Sequence, residues 1–194
     1  MKTLAIYAAL LLGASGAAMA DDSGFYVSAG GGLSVPEDPS AFGITTHYDT
    51  GGVGAIAIGY DSDGIVRGEI EISLRGWSLD SVSGFGVSVP ASGTGYTAAE
   101  TINLYLDIPT DSDWTPYLGI GFGGGVTWVE NAAIAGIPIA GDESFSFVYQ
   151  GIAGVAYRLS DRLSITGEYR YFGTDDITFV DNHSAMIGFR YSFF

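Results

Sequence analysis

The chain has 194 residues, 47% of them hydrophobic and only 15% charged, with 30 glycines, no cysteine and a formal net charge of -15. That length suits one domain, the lack of cysteine excludes disulfide scaffolds and thiolate metal sites, and no apolar run reaches the ~18–20 residues of a membrane helix. Excess acid argues against nucleic acid as a partner, because phosphate contacts need Lys and Arg.

The first residues read as an address. Lys2 precedes an apolar stretch from Leu4 to Leu12, followed by small residues ending Ala18-Met19-Ala20. A basic start, a short apolar middle and an A-x-A end predict a secretory signal peptide over 1–20 and a mature domain over 21–194. Without Lys2 the mature chain contains no lysine, only Arg67, Arg75, Arg158, Arg162, Arg170 and Arg190.

From there the pattern is strand throughout. Gly24–Ser34 and Gly51–Tyr60 alternate apolar with small residues. Val66–Arg75 alternates strictly: Val66, Gly68, Ile70, Ile72 and Leu74 fall on one face, and Arg67, Glu69, Glu71, Ser73 and Arg75 on the other. Thr101–Ile108 repeats the pattern, followed by Trp114–Val129, Phe145–Leu159, Leu163–Tyr171 and Ser184–Phe193. The connections alternate in length. Asp61–Gly64, Pro109–Asp113 and Ser160–Arg162 read as tight turns, and Val35–Asp49, Ser78–Ala99, Glu130–Ser144 and Gly173–Asn182 as longer loops. Eight strands with connections alternately short and long predict an all-β, antiparallel up-and-down transmembrane barrel, with short periplasmic turns and long external loops.

Charge placement tells the two faces apart. Arg67, Glu69, Glu71, Arg75, Asp107, Arg158, Glu168, Arg170 and Arg190 share one face, and the other reads as free of charge. A solvent-exposed polar face would carry some lysine, whereas Arg alternating with Glu suits a confined interior where each guanidinium meets several carboxylate oxygens. The apolar face then meets outer-membrane lipid. Tyr60, Trp114, Tyr157, Tyr191 and Phe193 form one aromatic band near the turns, and Trp77, Trp128, Phe147, Tyr149 and Tyr171 a second near the loops.

Several short motifs fit this reading. T-P-Y-L-G-I-G-F-G-G-G at Thr115–Gly125, I-N-L-Y-L-D at Ile102–Asp107, E-Y-R-Y-F at Glu168–Phe172 and G-F-R-Y-S-F at Gly188–Phe193 resemble small eight-stranded outer-membrane barrels of the OmpA/OmpX/Opa-like group of Gram-negative bacteria. The resemblance spans the mature chain. It implies insertion by the barrel-assembly machinery, which reads an aromatic C-terminal strand; Tyr191, Phe193 and Phe194 are the residues for that signal, with Phe193 outward and Phe194 following it. It leaves no room for a soluble peptidoglycan-binding domain.

No catalytic, cofactor or metal site is expected. Gly119–Gly124 fits G-x-G-x-x-G, but strand rather than a phosphate-binding helix follows it. Asp61-Ser62-Asp63-Gly64 opens like a calcium loop yet lacks the later ligands. His183-Ser184 is the one His-Ser pair, and alternation sends its members to opposite faces, with no carboxylate evidently placed to orient the His. His47 reads as an isolated, solvated loop residue. Four lumen acids nearly balance five arginines, which favours an ion-pair plug over a pore, since eight strands leave an interior just wide enough for side chains. The loops carry Glu37, Asp38, Asp49, Asp80, Glu130, Asp142, Glu143, Asp175, Asp176 and Asp181 without a basic residue, and no loop motif names a partner. The functional expectation is a non-enzymatic barrel with a structural or surface-interaction role. The alternatives are a lipid-modifying enzyme using His183 and a soluble secreted barrel carrying an apolar ligand.

Overall fold

The structure is a computed structural model that describes residues 24–62, 65–139, 143–175 and 180–194. The expected export segment over 1–20 lies outside them, as do Asp63, Gly64, Asp142 and Asp176. Ten strands follow in order: β1 (Gly24–Pro36), β2 (Ser40–Ala41), β3 (Ile44–Ser62), β4 (Val66–Gly84), β5 (Val87–Asp107), β6 (Trp114–Ile134), β7 (Ile137–Pro138), β8 (Glu143–Arg158), β9 (Leu163–Thr174) and β10 (Asn182–Ser192). Eight of them are long. Each pairs antiparallel with its neighbour, and β1 pairs with both β3 and β10, so the sheet closes into a barrel. Closure leaves no open edge where the eight strands run together, which a membrane interior demands because it offers no water to unpaired amides. The two-residue strands β2 and β7 fold back as short hairpins on β3 and β6.

Alternation sets which residues face where. On β4 the side chains of Arg67, Glu69, Glu71, Ser73 and Arg75 are buried, while Val66, Ile70 and Leu74 are exposed. The polar set therefore fills the inside and the apolar set forms the outer wall, the inverse of a soluble barrel. Small residues let the wall curve and strands approach. A Cβ on Gly123 would lie 1.8 Å from the backbone oxygen of Glu100, so only glycine fits there.

The strands are longer than the sequence pattern indicates. The segments expected as long loops at 35–49 and 78–99 are largely strand, because β3, β4 and β5 continue past the outer aromatic band as a paired extension. Its tips are two-residue turns: Phe42-Gly43, Phe85-Gly86 and, between β6 and β7, Ala135-Gly136. Both central residues of each turn have positive φ, the hairpin geometry that prefers Asn-Gly or Asp-Gly. A side chain bulkier than Asn there costs roughly 1 kcal/mol.

Two expectations about the wall are corrected. Its outer face is not free of charge, because Glu100 alternates with Ala98 and Ile102 and pairs across to Ile72 and Gly124, all outward. Trp77 does not join the outer band; it is buried inside, edge-on to Tyr48 with ring centroids 4.9 Å apart. A backbone irregularity between Ser78 and Ser81 follows it, and bulges of this kind re-aim side chains. Elsewhere the bands pair across strands, Phe25 with Tyr60 and Trp114 with Tyr157 at the turn end and Tyr96 with Trp128 at the loop end, while Tyr191 meets Phe193 along the C-terminal segment itself.

Candidate functional site

Inside the barrel the charged side chains are stacked in levels. At the turn end, Arg67 Nε and Nη2 donate to the two Asp107 oxygens at 2.7 and 2.8 Å, a two-pronged match that only a guanidinium makes. Arg67 Nη1 donates to Tyr26 Oη at 2.9 Å, and Tyr105 and Tyr117 face the same guanidinium. Arg190, half-enclosed, stands 3.9 Å from Asp107. One level up, Glu69 lies 3.9 Å from Arg67 and accepts from Ser28 Oγ. Tyr117 Oη donates to Glu168 at 2.6 Å, and Arg170 bridges Glu168 to Glu71, each at 2.7 Å.

Gln150 completes the middle. Its amide donates toward Glu71, Thr101 and Asn103. A cavity of about 20 Å³ beside Ser28, Glu71, Thr166 and Arg170 has room for about one water. Above it Arg75 donates to Ser73 and Gln150 and stacks 3.8 Å over the Phe172 ring, but it makes no ion pair among the described residues. Ala99, Val148 and Phe172 form a small apolar cluster at that level. Arg158, expected in the same set, lies on the inward register but is exposed at the turn end and makes no ion pair among the described residues. Sequence reasoning missed Tyr26, Tyr105, Tyr117, Gln150 and Phe172. For Tyr105, Gln150 and Phe172 the signal was available, since each shares the parity of a lumen charge on its own strand, whereas Tyr26 and Tyr117 lie on strands that carry none.

At the loop end, His183 and Ser184 point to opposite faces as their spacing requires: Ser184 is buried inward and His183 sits on the outer wall. A carboxylate does orient the His, contrary to expectation. Glu37, just beyond β1, stands 2.8 Å from His183 Nε2, while Tyr169 Oη meets Nδ1. Both ring nitrogens are thereby occupied. His47 also differs from its expected isolation, bridging Asp38 at 2.7 Å and Ser83 at 2.9 Å. The hydrogen bond from His47, supported by the Tyr48 amide, holds the Asp38 carboxyl below the usual carboxylate range. Among the described residues no cluster of three or more His and acidic side chains is arranged to hold a metal ion.

The C-terminal aromatics divide their roles in space. Tyr191 and Phe193 are exposed on the outer wall in edge-to-face contact, with the Phe193 amide bonded to Phe25. Phe194 lays its ring where a Cβ of Gly24 would stand, closing over the start of β1.

Known proteins share this fold. A family model described as an outer membrane protein beta-barrel domain matches residues 6–193. Neisserial surface protein A superposes with a TM-score of 0.58 at 19% identity, covering 88% of this chain and 99% of that one. Ail, the attachment invasion locus protein of Yersinia pestis, in complex with the heparin analogue sucrose octasulfate, gives 0.56 at 15% identity over 87% and 97%. The N-terminal barrel domain of Pseudomonas aeruginosa OprF gives 0.54 at 13% over 89% and 98%. These likenesses are of fold. No curated protein sequence matches the chain.

Proposed function

Starting from the fact that this chain belongs to the outer membrane protein beta-barrel domain family of Gram-negative outer membranes, we propose that it is a non-enzymatic surface barrel whose lumen is plugged and whose external hairpins carry its interactions. The observation that carries this reading is the continuous chain of contacts from Asp107 through Arg67, Tyr117, Glu168, Arg170 and Glu71 to Gln150, spanning the interior between opposite walls. A conducting pore needs a water-filled path or a ring of one sign; here opposite charges meet side to side.

The external surface supports an interaction role of particular sign. Glu37, Asp38, Asp49, Asp80, Glu130, Glu143, Asp175 and Asp181 stand at or beyond the outer rim, and no Lys or Arg accompanies them among the described residues. A sulfated ligand such as the one bound to Ail would meet repulsion here. Within this reading, outward Tyr191 and Phe193 are the pair recognised by the barrel-assembly machinery, with 1–20 as the removed export signal.

Planar-bilayer recording of the purified protein tests the plug. The expected result is no steady conductance, with small currents appearing when Glu71 and Arg170 are both replaced by alanine; steady large conductance from the wild type overturns it. An enzymatic reading would use His183, whose Tyr169 and Glu37 partners leave no ring nitrogen free for a water or a lipid ester. Turnover of radiolabelled phospholipid or lipid A that vanished in His183→Ala would establish it instead.

A further inference from the structure

The three outer hairpin tips have a property the barrel does not need. Phe42 is 98% exposed and Phe85 86%, and both occupy the left-handed position where Asn or Asp suits the turn. Neither ring buries itself in the fold, so neither stabilises it. The two tips are neighbours: a Cβ on Gly43 would lie 3.6 Å from the Phe85 ring. Exposed Ile44 and Val87 flank them, and exposed Ile137 and Ile139 adjoin the third tip. Val87 lies nine positions along β5 from Tyr96 in the outer aromatic band, roughly 30 Å of strand at ~3.3 Å per residue. The rings thus stand well outside the membrane that holds the barrel.

Resting on the reading of these hairpins as the interacting surface, we propose that Phe42 and Phe85 are insertion anchors that dock the protein onto a second, apposed bilayer rich in zwitterionic choline lipids. Shape favours a bilayer. The tips are convex and narrow, and a lipid surface receives a convex aromatic without a matching pocket, whereas a protein partner must supply one for each ring. Charge selects the lipid. The acidic residues, among them Asp38 and Asp80, are set back along the hairpins. A choline headgroup presents a quaternary ammonium outermost, which these carboxylates attract, while an anionic bilayer is repelled. The same acids oppose a tip-to-tip contact between two copies, which would bring like charges together.

The test uses the barrel refolded in nanodiscs and floated with phosphatidylcholine vesicles or with phosphatidylglycerol vesicles. The double variant Phe42→Asn/Phe85→Asn removes the rings while improving the turns, so it stays folded, as heat-dependent gel mobility will show. Wild type is expected to co-float with phosphatidylcholine and the double variant to bind about tenfold or more weakly. Phosphatidylglycerol vesicles are expected to bind less than phosphatidylcholine. Phe85→Trp emission should shift to the blue when phosphatidylcholine vesicles are added. Equal flotation of wild type and double variant, or no binding of wild type to phosphatidylcholine, overturns the proposal. So does Phe-dependent binding of a basic soluble protein such as cytochrome c while vesicles are ignored, which would make the tips a protein-docking device. Labelling of Phe85→Cys on intact cells by an impermeant maleimide separates the two levels. Labelled cells with unbound vesicles refute the lipid docking alone, and unlabelled cells refute the surface role as well.

Discussion

Replacing Arg67 with methionine is the sharpest probe of the interior. The side chain is 1% exposed, and its guanidinium supplies both close hydrogen bonds to Asp107 and one to Tyr26. Methionine fills much of the space but leaves Asp107 with only Arg190, at 3.9 Å, and leaves Glu69 without its nearest cation. Removing one partner of a buried pair costs about 3–5 kcal/mol, because the other charge stays desolvated. With an m-value near 2 kcal/mol/M, such a loss lowers the urea midpoint by roughly 2 M. Arg158→Met, at the exposed rim, should cost no more than about 0.5 kcal/mol. The double change Arg67→Met/Asp107→Leu should recover a large part of the loss, since an apolar pair of similar volume often replaces a buried ion pair without penalty. Urea titrations of the barrel refolded in phospholipid vesicles, followed by tryptophan fluorescence and by heat-dependent gel mobility, measure all three. If Arg67→Met costs no more than Arg158→Met, or if the double variant loses the sum of its single changes, the account of the lumen as mutually dependent charges is wrong.

Other tests reach other parts of the wall. Glu100→Leu should stabilise the barrel by about 1–2 kcal/mol in lipid and leave it unchanged in a polar detergent, since it removes an outward carboxylate from the apolar band; a loss in lipid would place Glu100 at a stabilising contact. Gly123→Ala, whose Cβ meets backbone, should cost about 1–3 kcal/mol, while Gly68→Ala, with nothing within 4 Å, should be neutral in the same titration. The Asp38 contact has a defined pH dependence. Its folded carboxyl titrates below the unfolded value, so the stabilisation is complete above the ordinary carboxylate range and disappears as pH falls through the lowered folded value. The protection factor of the Tyr48 amide, its exchange relative to the intrinsic rate at each pH, should therefore fall on acidification below that range, and Asp38→Asn should lower it at every pH.

Strict alternation made most of the barrel readable before any coordinates. In Val66–Arg75 or Thr101–Ile108 a one-residue slip would put Arg or Glu in lipid, so the pattern admits one register. The hairpin extensions were harder to see for the opposite reason. Above the rim both faces meet water, and Ser81-Val82-Ser83-Gly84-Phe85-Gly86-Val87-Ser88-Val89 alternates without a charge to mark a side. Phe-Gly also lacks the Asn-Gly signature of its turn. Glu100 escaped notice because its flanking Ala98 and Ala99 carry no strong preference for either face. Trp77 follows an unbroken alternation from Arg75 and belongs inside by that parity, but its ring suggested the interfacial band. Within the lumen, polarity identifies the charges, whereas Tyr26 and Tyr117 stand on glycine-rich strands without a lumen charge to mark the inward face. The Glu37–His183–Tyr169 contact joins three separate strands or their ends, and no local spacing encodes it.

The seam between β1 and β10 has a consequence for how the molecule comes into being. Ser34 meets Asn182 across it, 148 positions apart in the chain. That pairing closes the largest loop in the protein and comes with the steepest entropic cost, so it tends to form late. Until it does, β1 and β10 each present a row of unpaired amides, and the alternating wall remains an open, apolar sheet. An unfinished barrel is therefore not a smaller version of the finished one but an aggregation-prone surface with two sticky borders. β1, made before β10, must be kept solvated or escorted until β10 arrives, which makes timing and escort as much a requirement of this sequence as any contact inside it.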